Sequence, residues 1–268
     1  MDIKDFDVLI IGGGLVGASQ AIALANAGIH CCIIDKIDPR TTTTANFDGR
    51  ASAIALSTKR MLETIGVWHY LDDNPAPILG IRVSDKGSPL HLHFDHNDLG
   101  VEPFGFIVEN RYLRYALSKR IKEMKNITFL APSHVINSEH SLKNLTAHLN
   151  DGQTINAKLK IAADGRSSST RKAAGITVTK WPYNQSAIVC SVSHEYSHNF
   201  IAHERFLPNG PFAILPLNNL SGSPGTRSSI VWTEETKLAS NLLSLSENEF
   251  KNELDVRFGN FLGHTKII

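Results

Sequence analysis

Three glycines near the start of the chain have the spacing of a phosphate-binding turn. They are Gly12, Gly14 and Gly17, in the string GGGLVGA. The first glycine permits a tight turn, the second lets a pyrophosphate approach the backbone, and the third lets the following helix lie close to the preceding strand. The helix that begins near Leu15 and Val16 offers free N–H groups and a partial positive charge to phosphate oxygens. The spacing therefore predicts a site for a nucleotide pyrophosphate.

An acidic residue follows at the distance that a ribose requires. Asp35 comes eighteen residues after Gly17 and directly precedes Lys36, which we group with it as cofactor-binding. A carboxylate in this place accepts hydrogen bonds from an adenosine ribose. The glycine pattern alone is weak, since a glycine-rich turn of some other α/β protein would also match it. Together with the acid, it predicts a bound adenine dinucleotide.

The sequence on either side of these residues predicts the strands and the helix that must position them. Residues 8–11 are an apolar run of the branched type that buried parallel strands favour. A helix pattern rich in Ala and Leu extends to about Ala27, and Gly28 is placed to end it. A second apolar run, residues 29–34, leads to the acid. This is a complete β-α-β unit that contains the dinucleotide fingerprint.

The remaining chain predicts a mixture of sheet and helix. The pattern favours a loop at 36–50, a helix at 51–66, strands within 77–108 and a helix at 111–125, capped by Asn110. Later segments, by the same criteria, are strands at 127–130, near 135, at 145–149 and at 158–163, a short helix to Gly175, further strands after 180, and a helix at 246–261 with a capping box. Residues 263–268 predict neither a helix nor a finishing strand.

Composition limits the class of protein. The chain has 268 residues, which is enough for one large domain or two intertwined ones. Its formal net charge is +1, so no basic field indicates nucleic acid. Three cysteines, two of them adjacent, do not form a disulfide framework and favour a reducing compartment. No apolar run is long enough for a membrane helix. We expect a cytoplasmic protein, soluble or peripherally attached to a membrane.

Three separated motifs resemble a known family. They are GGGLVGA, DGRASAIALS at 48–57 and ADGRSSSTR at 163–171. Together they resemble the single-component FAD aromatic hydroxylases, the p-hydroxybenzoate-hydroxylase-like flavoprotein monooxygenases. DGRASAIALS, GPFAILPL at 210–217 and IVWT at 230–233 look most like the ubiquinone-biosynthesis hydroxylase branch. The resemblance spans nearly the whole chain.

The resemblance implies a fold and a domain division. The expected fold class is α/β, with a glutathione-reductase-like FAD/NAD(P)-binding domain built on a parallel sheet and a β-α-β unit. A mixed β-sheet substrate domain is inserted into it. The FAD-binding domain would comprise residues 1–76 and 106–180, and the substrate domain residues 77–105 and 181–268.

The resemblance also assigns cofactor contacts. The three glycines of the turn would hold the FAD pyrophosphate and Asp35 the adenosine ribose. Arg50 would extend onto the FAD phosphates, where its planar fork suits phosphate oxygens, with a solvated loop arginine as the alternative. Arg111 matches a position near the flavin, with a surface helix arginine as the alternative.

The third motif has a family role of its own. Asp164, Gly165, Ser168 and Arg171 would supply a second polar contact to the pyrophosphate and take part in NAD(P)H use. The plainer interpretation of these residues is a capped strand-to-helix turn.

The implied activity is hydroxylation of an aromatic ring. The substrate would be a polyprenylated phenol or quinol of ubiquinone biosynthesis, oxidised by O2 through a flavin C4a-hydroperoxide, with NAD(P)H as electron donor. No side chain must act as nucleophile, so no catalytic residue is assigned. Other proteins of the ubiquinone pathway and the surface of the inner membrane are candidate partners.

One motif of the family does not occur in the sequence. It is Gly-Asp-Ala-Ala-His, whose aspartate binds the ribityl chain of the flavin in the family. We therefore expect the 268 residues to be part of a longer enzyme and to bind FAD poorly by themselves. Two rival interpretations stay open: an NAD(P)-dependent dehydrogenase, and a non-catalytic binding protein that has the FAD fold.

Two further groups of residues allow more than one interpretation. Histidines at 91, 93 and 96 could suggest a metal site, but no acid or cysteine completes a ligand set, so an exposed sheet face is favoured. Four aromatic residues of the predicted sheet either line a substrate cavity or belong to the core, which is commoner: Trp181, Phe206, Phe212 and Trp232.

Overall fold

A computed structural model describes residues 3–43, 49–85, 88, 90–100, 102–141, 144–219 and 225–268. The strands are β1 Ile3–Ile11, β2 Cys31–Ile34, β3 Ala51–Ala55, β4 Ala76–Ile78, β5 Gly80–Asp85, β6 His91–Asp95, β7 Gly105–Glu109, β8 Ile127–Leu130, β9 Val135–His140, β10 Leu145–Leu149, β11 Thr154–Ala162, β12 Gln185–His194, β13 Ile201–Leu207, β14 Gly210–Leu217, β15 Arg227–Glu235 and β16 Thr265–Ile267. The helices are α1 Leu15–Asn26, α2 Pro39–Thr43, α3 Leu56–Thr64, α4 Asn110–Glu123, α5 Ser169–Ala173, α6 Thr236–Leu243 and α7 Glu247–Phe258.

The chain divides into two compact units. The first comprises residues 1–46, 61–71 and 111–179, and the second comprises 47–60, 72–110 and 180–268. The division of function between an FAD-binding and a substrate domain stays a prediction. The boundaries of the units differ from the predicted ones mainly in placing 47–60, 72–76 and 106–110 in the second unit.

The first unit is built on a sheet whose described strands have the order β8-β2-β1-β11-β10-β9. The first four of these are mutually parallel, and β10 and β9 follow as antiparallel neighbours. Strand β2 is buried along its whole length, which explains why its sequence, CCII, is continuously apolar. Leu9, Ile34 and Ile155 belong to the core on this sheet. Since the strands are parallel, the residues that follow β1, β2 and β11 meet at one edge of the sheet.

The second unit contains two sheets. One has the order β16-β12-β15-β14-β13-β5-β6, in which β13 and β5 are parallel and the other neighbouring strands are antiparallel. The other sheet has the order β3-β7-β4 and is antiparallel. The fully buried side chains of Phe212, Trp232 and Phe258 form the centre of the larger core.

A buried ion pair lies within the second unit. The guanidinium of Arg227, at the start of β15, lies 2.5 Å from the carboxylate of Glu109, at the end of β7. Both side chains are less than a tenth exposed. The carbonyl of Asn218 also accepts a hydrogen bond from Arg227. The pair thus joins the last residue of β7 to the large sheet by charge-assisted hydrogen bonds.

Several local predictions were wrong. Residues 51–55 are a strand rather than the beginning of a helix, because they pair with β7 and this contact overrides the helix preference of alanine. The predicted loop at 36–50 contains the short helix α2, while residues 44–48, including Asp48 of the second motif, lie outside the described residues. The chain also forms α6 and the strand β16, which pairs with β12 over three residues and carries little sequence pattern.

The four aromatic residues and the histidines discussed above differ in how far they are exposed. Phe212 and Trp232 are core residues, whereas Trp181 and Phe206 are half or more exposed. His91 and His93 lie on the exposed strand β6. Among the residues that the structure describes, no three His, Cys, Asp or Glu side chains are grouped as a metal site would require.

Candidate dinucleotide site

The glycine turn packs against the end of β11. Gly12 has a φ of +102°, and a Cβ atom there would lie 2.3 Å from the carbonyl oxygen of Ala163. A Cβ at Gly17 would lie 1.9 Å from the carbonyl oxygen of Gly12. The close approach predicted for the helix and the strand is therefore present. Gly14 is different, since a Cβ there would meet no atom within 4 Å.

Helix α1 begins directly after this open position. Gly14 is its N-cap residue, and no side chain caps the helix. The first N–H groups of a helix have no partner within it, so those of Leu15 and Val16 suit an anionic ligand. The side chain of Val16 is 74% exposed. The turn therefore presents backbone donors beside a surface that no side chain blocks.

Asp35 is held beside the turn by backbone donors. Its carboxylate accepts a hydrogen bond of 2.5 Å from the N–H of Gly13 and one of 2.8 Å from the N–H of Ile37. A carboxylate has about four acceptor positions, so two remain for the hydroxyl groups of a ribose. Lys36, the next residue, is exposed.

Asp164 follows β11 and lies against the same turn. The Cα of Asp164 would be 2.9 Å from a Cβ at Gly12. Its carboxylate accepts hydrogen bonds from the hydroxyl groups of Ser168 and Thr170 and from the N–H of Thr170 at 3.1 Å. Burial would raise the pKa of Asp164, but these hydrogen bonds outweigh it and hold the pKa below its usual value. The carboxylate is therefore charged at neutral pH.

The rest of this motif forms a capped turn. Gly165 has a φ of +83°, and the hydroxyl of Ser168 accepts a hydrogen bond from the N–H of Arg171 at the start of α5. The guanidinium of Arg171 donates to the carbonyl of Arg166 at 2.9 Å. These contacts are those of a strand-to-helix turn, and the contact with a pyrophosphate stays a prediction.

A cavity of about 360 Å³ opens beside the turn, within the first unit. Its walls come from the start of α1, the segment after β2, one face of α4 and the end of β8. The lining residues are Gly13, Gly14, Leu15, Ala18, Asp35, Ile37, Asp38, Pro39, Arg40, Arg114, Leu117, Ser118, Ile121, Lys122, Phe129 and Ala131. The cavity thus adjoins both the pyrophosphate turn and the ribose acid, where the adenosine part of a dinucleotide would lie.

Sequence reasoning predicted only the part of this cavity that the glycine turn and Asp35 form, and it missed the other walls. Arg114, Leu117, Ser118 and Ile121 come from α4, where their spacing places them on one helical face. The spacing alone indicated an amphipathic helix, but it did not show that this face of the helix lines a cavity. Other lining residues, among them Asp38, Lys122 and Phe129, were not predicted either, and a Cβ placed at Gly13 would overlap the ring of Phe129 at 2.4 Å.

The predicted residues Arg50 and Arg111 belong to different units. Arg111 is in the first turn of α4, and its guanidinium lies 4.7 Å from the ring centroid of Tyr112 and donates to the hydroxyl of that residue. Arg50 belongs to the second unit, where its carbonyl accepts a hydrogen bond from the N–H of Asn110. The contacts of both arginines with FAD stay predictions.

The residues present fit the pyrophosphate and adenosine parts of FAD. The backbone donors at Gly14, the fixed carboxylate of Asp35 and the adjoining cavity are all on one edge of the sheet. Among the described residues, every helix is too short or too polar to cross a membrane.

Comparison with protein families gives an independent result. The family model described as FAD binding domain matches residues 5–266. Similar proteins include the ubiquinone hydroxylase UbiL of Rhodospirillum rubrum, 48% identical over 97% of this chain and 59% of UbiL. The human ubiquinone biosynthesis monooxygenase COQ6 is 32% identical, over 98% of this chain and 58% of COQ6. The chain therefore spans less than two thirds of the length of these relatives.

Solved structures with the same fold include two monooxygenases. PqsL of Pseudomonas aeruginosa, in complex with 2-aminobenzoylacetate, has a TM-score of 0.78, with 19% identity over 94% of this chain and 67% of PqsL. The p-nitrophenol 4-monooxygenase PnpA of Pseudomonas putida has a TM-score of 0.76, with 16% identity over 100% of this chain and 67% of PnpA. The predicted α/β fold, with a parallel FAD-binding sheet and an additional mixed sheet, is confirmed. The chain belongs to the FAD binding domain family, and its similarity to the ubiquinone hydroxylases of that family extends along nearly its whole length.

Proposed function

We propose that this protein is an FAD-dependent aromatic-ring hydroxylase of ubiquinone biosynthesis, acting on a polyprenylated phenol or quinol. One observation carries the proposal: a chain 48% identical to a ubiquinone hydroxylase retains a dinucleotide turn whose second glycine faces open space. A side chain at that position would enter the space that a bound pyrophosphate needs.

Different residues of the site would bind different parts of FAD. We assign the pyrophosphate and ribose contacts to Gly12, Gly14, Leu15, Val16, Gly17, Asp35 and Lys36, with Arg50, Arg111, Asp164, Gly165 and Arg171 as further cofactor-binding residues. Helix α1 directs its N-terminal donors and its dipole at the phosphates. When bound, FAD supplies the activation of O2 and the transfer of one oxygen atom to the ring. The protein binds and orients both molecules and excludes water.

The electron donor, the partners and the place of action belong to the same proposal. NAD(P)H is the donor that we propose, and O2 is the second substrate. A substrate with a polyprenyl chain partitions into a bilayer, so the protein would contact the inner membrane peripherally from the cytoplasm. Other proteins of the ubiquinone pathway are the partners that such a reaction series suggests.

The experiment uses the purified full-length protein, of which we expect these 268 residues to be a part, and a geranyl-substituted phenol as a short-chain substrate. An absorbance spectrum tests for bound flavin, and oxygen uptake is then measured with NADH and with NADPH, with and without the phenol. We expect flavin absorbance, phenol-dependent oxygen uptake and a product that has gained one oxygen atom. A well-folded full-length protein without flavin would refute the proposal. Bound flavin without any oxygenated product would favour a non-catalytic binding protein instead.

A further inference from the structure

The core side of the seven-stranded sheet is apolar at one end and basic at the other. On this side, which carries Trp232, the register aligns a row of residues across six strands. Side chains opposite each other in neighbouring strands point to the same side, with their Cβ atoms about 5 Å apart. The row passes from apolar residues on β12, β15 and β14 to basic residues on β13, β5 and β6. Its members, in this order of strands, are Cys190, Ile230, Ile214, His203, Arg82 and His93.

The next row of the register shows the same change. Helices α6 and α7 contribute to the core at the apolar end of the sheet. At the other end, His91 and His93 lie on the exposed edge strand β6. The members of this second row are Ile188, Trp232, Phe212, Arg205, Ser84 and His91. The two rows together place five basic residues side by side, and we call them the basic cluster: Arg82, Arg205, His91, His93 and His203.

Arg82 is the member of the basic cluster whose charge is not compensated. Its side chain is partly buried and its Nε atom fully so, and within the described part of the chain no hydrogen bond or ion pair reaches its guanidinium. Arg205, in contrast, donates hydrogen bonds to the carbonyls of Arg257 and Phe258 at the end of α7. A charged group that loses water without gaining a partner costs free energy. Arg82 therefore retains N–H donors for a ligand.

The acidic residues on this side of the sheet do not neutralise Arg82. In the described strands they are Asp95 and Glu234. The carboxylate of Asp95 lies 4.0 Å from Nε2 of His93, and that of Glu234 lies 3.2 Å from Nε of Arg257. Each carboxylate thus has a basic neighbour other than Arg82, and the positive charge of Arg82 remains.

The ring of His203 lies within this positive field. Burial, followed by repulsion from Arg82 and Arg205, lowers the pKa of His203 to about 4. The ring is therefore neutral at pH 7 and has one N–H to donate. It packs against the ring of Phe261, with the centroids 4.7 Å apart. This contact holds the imidazole beside the guanidinium of Arg82.

We propose that the basic cluster is a binding site for a phosphate group, with the guanidinium of Arg82 and the imidazole N–H groups of His93 and His203 as donors. A phosphate monoester has three acceptor oxygens that take donors from different directions, whereas the two oxygens of a carboxylate are satisfied by one guanidinium. Its charge of about −1.5 to −2 at neutral pH matches the two arginines of the cluster. None of the five residues is among those assigned above to FAD, so the inference is independent of the proposed function.

A phosphate group of this kind has two sources, a phospholipid head group and a soluble phosphate ester. The edge strand β6 also exposes Leu92 and Phe94, by 65% and 50%, on the side opposite to its histidines. Apolar and phosphate-binding side chains on one edge suit a lipid surface, whereas the cluster alone suits a soluble ester. The two sources are therefore tested separately.

The first experiment titrates inorganic phosphate into the FAD-loaded full-length protein, in which bound FAD occupies the glycine turn. Calorimetry compares the wild type with Arg82→Gln and Arg60→Gln. We expect Arg82→Gln to weaken phosphate binding about 10- to 100-fold, the effect of hydrogen bonds to a charged group. Arg60→Gln removes the same charge from an exposed position of the same unit and should change the affinity by less than about threefold. Acetate at equal ionic strength should not compete.

The second experiment measures co-sedimentation of the same three proteins with phosphatidylglycerol vesicles. A lipid source predicts that Arg82→Gln binds the vesicles about tenfold more weakly than Arg60→Gln does. A loss of phosphate binding in Arg82→Gln without a difference on vesicles assigns the site to a soluble phosphate ester. Either result supports the site.

The proposal is overturned if the wild type binds neither probe, if Arg82→Gln binds both as tightly as the wild type, or if acetate displaces phosphate at equal concentration. The urea midpoint supplies an independent test. Because Arg82 has no partner within the described residues, Arg82→Gln should unfold at the same urea concentration as the wild type. A clearly lower midpoint would show that the guanidinium is already paired within the full-length protein, and this too would overturn the proposal.

Discussion

The two glycines Gly14 and Gly17 belong to one motif, yet the structure gives them different tasks, and this difference can be tested. A Cβ at Gly14 meets open space, whereas a Cβ at Gly17 meets the carbonyl of Gly12 at 1.9 Å. Gly14 also has a φ of −67°, which any residue can adopt. We therefore expect Gly14→Val to remove FAD binding while the protein stays folded.

The expected magnitudes follow from these contacts. Replacing Gly14 stabilises the folded state by about 0.4–1 kcal/mol through backbone entropy, and the poor capping by valine costs about 1 kcal/mol, so the unfolding free energy changes by less than about 1 kcal/mol. The valine occupies the space before the helix N-terminus. Losing two hydrogen bonds to a charged phosphate, at about 1.5–3 kcal/mol each, weakens FAD binding at least about 100-fold.

The assay measures both quantities separately. Urea unfolding of the FAD-free proteins reports stability, and calorimetric titration with FAD reports affinity. Gly17→Ala is the matched control, and its overlap with the carbonyl of Gly12 should destabilise the FAD-free protein by about 1–3 kcal/mol or more. The reasoning is refuted if Gly14→Val retains FAD within tenfold of the wild-type affinity, or if it unfolds as readily as Gly17→Ala.

Three further predictions concern the acid beside the turn, a buried histidine and the buried ion pair. Asp35→Ala should weaken FAD binding about tenfold by the loss of one ribose contact, measured in the same titration, and an unchanged affinity would exclude that contact. Burial lowers the pKa of His198 to about 4 from its ordinary 6.5, so its contribution to stability is complete above pH 6.5 and is lost as the pH falls towards 4. Over that window the wild type should lose about 3 kcal/mol more unfolding free energy than His198→Gln, and equal slopes in urea titrations would contradict the assignment. Arg227→Met should cost about 3–5 kcal/mol, because it leaves the charge of Glu109 buried, and Glu109→Leu in the same chain should recover most of that loss; a double variant as unstable as the single one would count against this explanation.

The parts of the fold that the sequence predicts are those whose signal is local. The β-α-β unit was predictable because apolar runs, a helix pattern and the Gly12–Gly17 spacing follow one another without interruption. The capping box at Ser246 and Glu249 is present for the same reason. The strand at 51–55 was not predictable, since ASAIA suits either structure and only its pairing with β7 decides.

The candidate site was predictable in its turn but not in its walls. Gly12, Gly14 and Asp35 have fixed spacing, and the structure brings them together. The face of α4 that includes Arg114 lines the cavity because of where that helix lies over the sheet. No local pattern encodes this position. The hydrogen bond from Gly13 to Asp35 likewise depends on β1 and β2 being neighbours.

The contact between Gly12 and Ala163 has a consequence for biosynthesis. The two residues are 151 positions apart, yet the turn rests on the end of β11, and β1 pairs with β11 along eight residues. During synthesis at the ribosome, the first strand and its glycine turn emerge long before their support exists. Closing a loop of this length costs more chain entropy than a local contact does. The phosphate cradle is thus complete only after β11 has been translated, so cofactor loading is coupled to the late stages of folding rather than to the emergence of the N-terminal motif.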